Sequence, residues 1–253
     1  MGTSVEVLFE RELERRGIAF TADPSTGTYF VQVGTPLSVS LENLSRQYAY
    51  ERDPDCVPRF VEAILHRATT LSWSSARESI LFALEPNDYV ESSDLRLPLS
   101  KRVDRVPILV DQPLGTWRFI MREMLKEWDV TMDDVTQVAG SAMALALTSA
   151  NLERSEIDGV TLGFFETDLP LKSPPLLAPN LKQIVEPLIG WPLHAVVPDQ
   201  DFIYVWAARH ERFFERVAAV VVREYSVAPH PVTTELFEIG DDGIRAIGAF
   251  SER

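Results

Sequence analysis

The sequence contains a single cysteine, Cys56, among 253 residues, so no disulfide can form within the chain. One thiol also excludes the cysteine-rich zinc sites that hold many small domains together. Such sparse cysteine usage is typical of proteins in a reducing compartment, and we expect a cytoplasmic protein.

Long hydrophobic runs are missing as well. The richest run, Val217–Val222, is flanked by arginines and is far shorter than the roughly 20 residues that span a bilayer. Residues 3–16 are dense in Glu and Arg, unlike a secretory leader, and Glu6 occupies the position where a myristoylation motif requires Ser or Thr. We therefore expect no membrane partner.

Positive charge is scarce, because 24 Lys and Arg face 38 Asp and Glu and the formal net charge is −14. A chain of this charge is repelled by phosphate backbones unless a basic patch dominates locally. The densest basic clusters, Arg15-Arg16 and Lys101-Arg102, are short, so we expect no nucleic-acid partner. A basic protein partner suits the charge, and a simple role in solubility is the alternative. The oligomeric state stays open.

Catalytic and cofactor motifs are also lacking. No phosphate-binding loop, dinucleotide glycine pattern or Gly-x-Ser-x-Gly nucleophile elbow occurs. His210 precedes Glu211, but the second histidine of a zinc-binding helix is missing. The sequence therefore predicts no cofactor and assigns no catalytic residue, and the four histidines are scattered: His66, His194, His210 and His230.

What the sequence does contain is a mixture of helical and strand patterns. Apolar residues recur at helical spacing through residues 57–68 and 213–225, and they alternate with other residues through 28–33. Polar turns at 198–201 and 240–243 separate strand-like runs and indicate hairpins. Hairpins favour antiparallel pairing, so we predict an α+β fold of mostly antiparallel sheet or sheets with amphipathic helices packed on one face.

The domain organisation is predicted from one irregular stretch. Residues 85–105 show no clear periodicity, and a structureless loop of this length is uncommon inside a compact domain. We therefore predict an N-terminal α/β subdomain at 1–90, a connecting loop at 91–105 and a C-terminal α/β subdomain at 106–253, with one continuous domain as the alternative. The proline-rich segment 169–179 is interpreted either as a partner-binding strap or as an extended cover.

Four acidic residues are the best candidates for a site. Glu166 and Asp168 follow a predicted strand, and Asp199 and Asp201 lie in a predicted hairpin turn. If the strands are neighbours, the four carboxylates would converge on a hard cation such as Mg²⁺ or Ca²⁺. The favoured alternative is that Asp199 and Asp201 accept hydrogen bonds from turn N–H groups, since no octahedral ligand spacing is evident.

Two functional hypotheses follow. The leading one is a non-enzymatic soluble protein-binding or accessory module, for example of the immunity type, that presents an acidic surface to a basic partner. The alternative is a metal-dependent hydrolase-type enzyme that uses the acids of segments 166–168 and 199–201. Whether the chain is an enzyme is left open, with the balance against it.

Several segments, taken in order, resemble the YtpQ-like family of bacterial proteins of unknown function. The resemblance extends from about residue 39 to residue 239, and it implies no activity, ligand or site residue. The matching segments are Val39–Leu44 with Tyr48, Leu109–Pro113 with Arg118-Phe119 and Leu125–Thr131, Ala195–Phe202, and Val232–Phe237.

Overall fold

The computed structural model describes residues 4–24, 27–33, 35–67, 71–89, 93–111 and 116–251. The chain divides into two compact units, Met1–Leu71 and Ser72–Arg253. This division falls earlier in the chain than the connecting loop that the sequence predicts at 91–105. The described part of that loop is ordered by pairing within the second unit, as described below.

The first unit combines helices with an antiparallel sheet of three strands in the order β1-β2-β3. Helix α1 begins after Ser4, whose side chain accepts a hydrogen bond from the backbone N–H of Val7. The fully buried side chains of Phe9, Leu13 and Val31 lie at the centre of its core. Its elements are α1 (Val5–Arg15), β1 (Phe20–Asp23), β2 (Thr28–Val33), β3 (Thr35–Ser40), α2 (Glu42–Glu51) and α3 (Cys56–Arg67).

The second unit contains two antiparallel sheets and the remaining helices of the described chain. Its first elements are α4 (Trp73–Ala76), β4 (Ile80–Pro86), β5 (Leu97–Pro98), β6 (Val103–Asp111), β7 (Thr116–Phe119), α5 (Arg122–Trp128) and α6 (Met132–Ser149). The later elements are β8 (Asn151–Ile157), β9 (Val160–Glu166), α7 (Leu181–Val185), β10 (Leu193–Asp199), β11 (Phe202–Ala207), α8 (Phe214–Val227), β12 (Glu235–Gly240) and β13 (Gly243–Ala249).

In the smaller sheet of this unit, β6 pairs with β4, β5 and β7. The larger sheet has six strands in the order β13-β12-β10-β11-β9-β8. All of these pairs are antiparallel. The predicted α+β class with mostly antiparallel sheets is therefore confirmed, and so are the hairpins at 198–201 and 240–243.

Two helices form the main helical layers of the second unit. Helix α8 places Val217 and Val221 in one buried cluster with Trp206 and Val196 of the six-stranded sheet, as its apolar stripe predicts. Helix α6 buries Ala139, Met143 and Leu147 at four-residue intervals and packs against β4. A capping box between Thr131 and Asp134 starts α6.

The proline-rich segment 169–179 contains a 3₁₀ turn, Pro174–Leu177, that packs against α6 and β4. Pro174, Pro175 and Leu176 are buried, so the turn covers the core. None of the described helices is long and apolar enough to cross a membrane.

Candidate functional site

The acidic turn between β10 and β11 is held by its own backbone. The Asp199 carboxylate accepts a hydrogen bond from the N–H of Asp201, as the turn interpretation predicts. Partial burial raises the pKa of Asp199 to about 6, and the nearby carboxylates of Asp201 and Glu224 act in the same direction. Asp201 is exposed. These two acids therefore belong to one turn, but they face different surroundings.

Gln200, between those two acids, points into the protein. Its side chain is buried, and its Nε2 donates a hydrogen bond of 2.5 Å to Oε1 of Glu85 on β4. Its backbone N–H donates to the carbonyl oxygen of His230, and its own carbonyl oxygen accepts from the N–H of Lys172 at 2.7 Å. The turn is thus anchored to three other segments of the second unit.

Among the described acids of the second unit, Glu85 has the most strongly shifted pKa. It is 2% exposed, and burial raises its pKa to about 8, although the Gln200 hydrogen bond and the charge of Arg96 partly oppose this shift. Asp104 lies directly opposite Glu85 on β6 and accepts a hydrogen bond from Arg96 at 3.3 Å. The raised pKa favours the protonated form of Glu85 at neutral pH, beside an acid that has an arginine partner.

Arg96 gives order to the segment where the sequence predicts a connecting loop. Its guanidinium donates to the carbonyl oxygens of Ser93, Asn87 and Tyr89 as well as to Asp104. One side chain therefore supplies the hydrogen bonds that regular strand pairing does not provide there.

The four acids singled out by sequence do not form a common site. Glu166 ends β9, where its carboxylate accepts a hydrogen bond of 3.4 Å from Asn151 of the edge strand β8. Asp168 lines a separate cleft, and Asp199 and Asp201 lie in the β10–β11 turn. Among the described residues, no group of three or more His, Cys, Asp or Glu is positioned to hold a metal ion. The convergence that the metal-dependent hydrolase requires is therefore missing from this part of the chain.

The cleft that contains Asp168 lies beside α6 and has a cavity volume of about 260 Å³. We call it the α6 cleft. Its walls come from the segment leading into β4, from β6, from the C-terminal half of α6 and from the loop after β9. The lining residues are Glu78, Ser79, Leu81, Val110, Ala142, Leu145, Ala146, Ser149, Ala150, Thr167, Asp168 and Leu169.

The charged residues that line the α6 cleft are all acidic. Glu78 and Asp168 are both exposed, and neither forms an ion pair or hydrogen bond within the described structure. No Lys, Arg or His is among the lining residues. Leu145 at the same cleft is 68% exposed. The cleft therefore offers two carboxylates without partners beside apolar surface.

Lys172 fixes the loop that carries Asp168. Its Nζ donates hydrogen bonds to the carbonyl oxygens of Thr167 at 2.6 Å and Leu169 at 3.1 Å. Its backbone N–H donates to Gln200, whose side chain is bonded to Glu85. Hydrogen bonds through the β10–β11 turn therefore connect the loop that carries Asp168 to β4. The geometry of this loop is largely formed before any ligand binds.

His194 and Cys56 are two further side chains with reactive groups. Burial lowers the pKa of His194, whose Nδ1 has no hydrogen-bond partner in the described structure and whose Nε2 lies 3.8 Å from Glu238. Cys56 is buried, and burial raises the pKa of its thiol. The side chain of His66 lies outside the described residues. A raised pKa disfavours the thiolate, which is the form in which a cysteine acts as a nucleophile.

Sequence reasoning missed Glu78, Glu85 and Gln200. A weak signal exists for Glu85, because this charge directly continues the apolar run 80–84 that predicts a buried strand. No local pattern marks Glu78, because its neighbours in the cleft come from four separate segments of the chain.

Comparison with known proteins adds no relatives. No family model matches the chain, and no match was found among curated proteins or solved structures. The resemblance to the YtpQ-like family therefore stays a prediction.

Proposed function

We propose that the protein is a non-enzymatic accessory module that binds a basic segment of a partner protein in the α6 cleft. One observation carries the proposal: two exposed carboxylates without partners, Glu78 and Asp168, line a cleft that no basic side chain lines. A cationic segment supplies the missing charge, and complementary charge is the usual basis of partner selection at polar interfaces.

The overall charge supports the same partner. A net charge of −14 attracts basic proteins over distances comparable to the Debye length, about 8 Å at physiological salt. The same charge repels nucleic acids, whose phosphates compete poorly for such a surface. Association with the module is therefore faster at low salt and slows as salt is added.

The proposal also includes the cellular compartment and the protein family of the module. We place it in the cytoplasm, since its one cysteine is free and buried and needs no oxidising environment. We assign it to the YtpQ-like bacterial family because the resembling segments follow in the same order over most of the chain.

The proposal is tested with synthetic peptides of equal length whose net charge is positive, zero or negative. Binding to the intact protein is measured by calorimetry at physiological salt. We expect the cationic peptide to bind at least tenfold more tightly than the neutral one, a difference of about 1.4 kcal/mol. The anionic peptide and a short DNA duplex should not bind.

A double variant assigns the binding to the cleft. Glu78→Gln with Asp168→Asn should weaken cationic-peptide binding about tenfold. The matched control, Glu127→Gln with Asp242→Asn, removes the same charge from exposed positions outside the cleft. Equal weakening in the two double variants would mean that net charge alone attracts the peptide, and the proposal would then be wrong.

A further inference from the structure

The α6 cleft is small for a complete ligand. Pockets that bury drug-sized molecules have volumes of roughly 300–1,000 Å³. The cavity here measures about 260 Å³. One long side chain, projecting from a segment that lies across the opening, is a better match for this volume than a free metabolite.

The lining of the cleft is chemically complementary to one particular kind of side chain. Leu81, Val110, Ala142 and Ala146 provide apolar wall, and the two carboxylates are exposed. Lysine and arginine combine an apolar stem with a cationic end, and they bury the stem while the charge stays at a polar surface. Leu145, 68% exposed, extends the apolar wall available to the stem.

Taking the proposed function as given, we infer that the α6 cleft accepts a single unmodified lysine or arginine side chain of the partner. The stem lies against Leu145 and Ala146, and the cationic end is bound by the carboxylates of Glu78 and Asp168. The partner is therefore selected by one inserted residue in addition to its overall positive charge.

The chemistry of the lining separates unmodified from modified lysine. Trimethyl-lysine is recognised by cages of aromatic rings, and no aromatic residue is among those that line the cleft. Acetyl-lysine has lost the charge that the carboxylates would bind. The cleft should therefore discriminate against both modifications.

The loop that carries Asp168 is already ordered, and this order increases the affinity for one inserted side chain. The hydrogen bonds from Lys172 to Thr167 and Leu169 hold the backbone on either side of Asp168. A carboxylate held in place loses less conformational entropy on binding than one on a mobile loop, and pre-organisation of this kind increases affinity.

The first test uses short peptides that are uncharged except at one central residue, which is lysine, arginine, acetyl-lysine, trimethyl-lysine or norleucine. NMR titration of the labelled, intact protein measures each dissociation constant. We expect the lysine and arginine peptides to bind about tenfold more tightly than the acetyl-lysine and norleucine peptides, with trimethyl-lysine several-fold weaker than lysine. Equal binding of lysine and norleucine would overturn the inference.

The second test fills the cavity without changing the charge. Ala146→Leu places extra carbon atoms inside the cleft, and Ser141→Leu makes a similar change on the exposed face of the same helix, outside the lining. We expect the lysine peptide to bind about tenfold more weakly to the Ala146→Leu protein and unchanged to the Ser141→Leu protein. Amide exchange rates of α6 should confirm that both variants are folded.

The outcomes separate the inference from the proposed function. If the charge-removing double variant loses cationic-peptide binding while Ala146→Leu retains it, the partner binds by surface charge and the single-residue inference is wrong. If cationic peptides bind no better than neutral ones to the unaltered protein, both the inference and the proposed function are wrong.

Discussion

Glu12 in the first unit and Glu85 in the second unit are both buried, but their pKa values are shifted in opposite directions. Glu12 on α1 has a side chain that is 10% exposed, and Glu85 on β4 is 2% exposed. Hydrogen bonds from Arg15 and Arg16 lower the pKa of Glu12 to about 2, even though partial burial acts against them. Burial raises the pKa of Glu85 to about 8. Burial is therefore the main cause of the pKa shift at Glu85, whereas charged hydrogen-bond donors are the main cause at Glu12.

The two sites also differ in the charge of the hydrogen-bond donors. Glu12 receives hydrogen bonds of 2.6 to 2.7 Å from two guanidinium groups, which favour the ionised form. Glu85 receives one hydrogen bond from the neutral amide of Gln200. A neutral donor does not offset the cost of transferring a carboxylate out of water, so Glu85 retains its proton.

The two glutamates make stability depend on pH in opposite directions. The folded protein binds the Glu85 proton more tightly than the unfolded chain does. The stability from Glu85 is therefore complete below about pH 4.5 and is lost as pH rises towards 8. For Glu12 the folded pKa is lower than the unfolded value, so its contribution is present above about pH 4.5 and is lost as pH falls towards 2.

The largest expected effect comes from Glu85→Gln. The glutamine amide replaces the protonated carboxyl without a proton to lose, so the cost of keeping Glu85 neutral disappears. At pH 7 the folded protein should gain about 2 to 3 kcal/mol in the free energy of unfolding, and at pH 4 the gain should vanish. Denaturant unfolding followed by tryptophan fluorescence measures this, because all five tryptophans lie in the second unit.

Glu127→Gln, at an exposed position of α5, is the control for that change. It should leave the free energy of unfolding within about 0.5 kcal/mol of the unaltered protein at both pH values. A Glu85→Gln protein that is less stable at pH 7 would show that Glu85 is ionised in the folded state, and the contrast between the two glutamates would disappear.

Much of the fold was predictable because its signals are local. Apolar spacing predicted α3 and α8, and short polar turns predicted the β10–β11 and β12–β13 hairpins. Strand β8 was missed because its sequence, Asn-Leu-Glu-Arg-Ser-Glu-Ile, is polar and exposed, as is common at a sheet edge. The Asp158-Gly159 pair that connects β8 to β9 is the hairpin signal that would have identified it.

The candidate site was much less predictable because its contacts are distant in sequence. Glu85 and Gln200 are separated by 115 positions, and no periodic pattern reports such a contact. The turn at 199–201 was singled out for its aspartates. Its buried residue is the glutamine between them, which could be identified only once the position of β4 was known.

Glu12→Gln is the second test and should act in the opposite direction. Replacing the carboxylate weakens its hydrogen bonds with two charged donors, and bonds to charged groups contribute about 1.5 to 3 kcal/mol. Because Arg15 is largely exposed, we expect a loss of about 1 to 2 kcal/mol at pH 7, which shrinks as pH falls below 4.5. Hydrogen exchange of the α1 amides measures it within the first unit.

The exposed Glu14 on the same helix provides the control, and Glu14→Gln should change α1 exchange little at any pH. If Glu12→Gln lowers the stability of α1 equally at pH 3 and pH 7, the ionised Glu12 carboxylate is not the cause of the stabilisation. Packing of the side chain, and not its charge, would then stabilise α1.

The smallest effect separates the two arginines that keep Glu12 ionised. Arg15 is 65% exposed, whereas Arg16 is 21% exposed and also pairs with Glu62 of α3. Exposed ion pairs contribute about 0 to 1 kcal/mol, so Arg16→Gln should cost about 1 kcal/mol and Arg15→Gln should cost less than that. Double-mutant cycles with Glu12→Gln, read from α1 hydrogen exchange, give each coupling energy. If the Arg15 coupling equals or exceeds that of Arg16, the direct two-bond geometry of Arg15 outweighs burial. Donor geometry, more than shielding from water, would then account for the low pKa of Glu12.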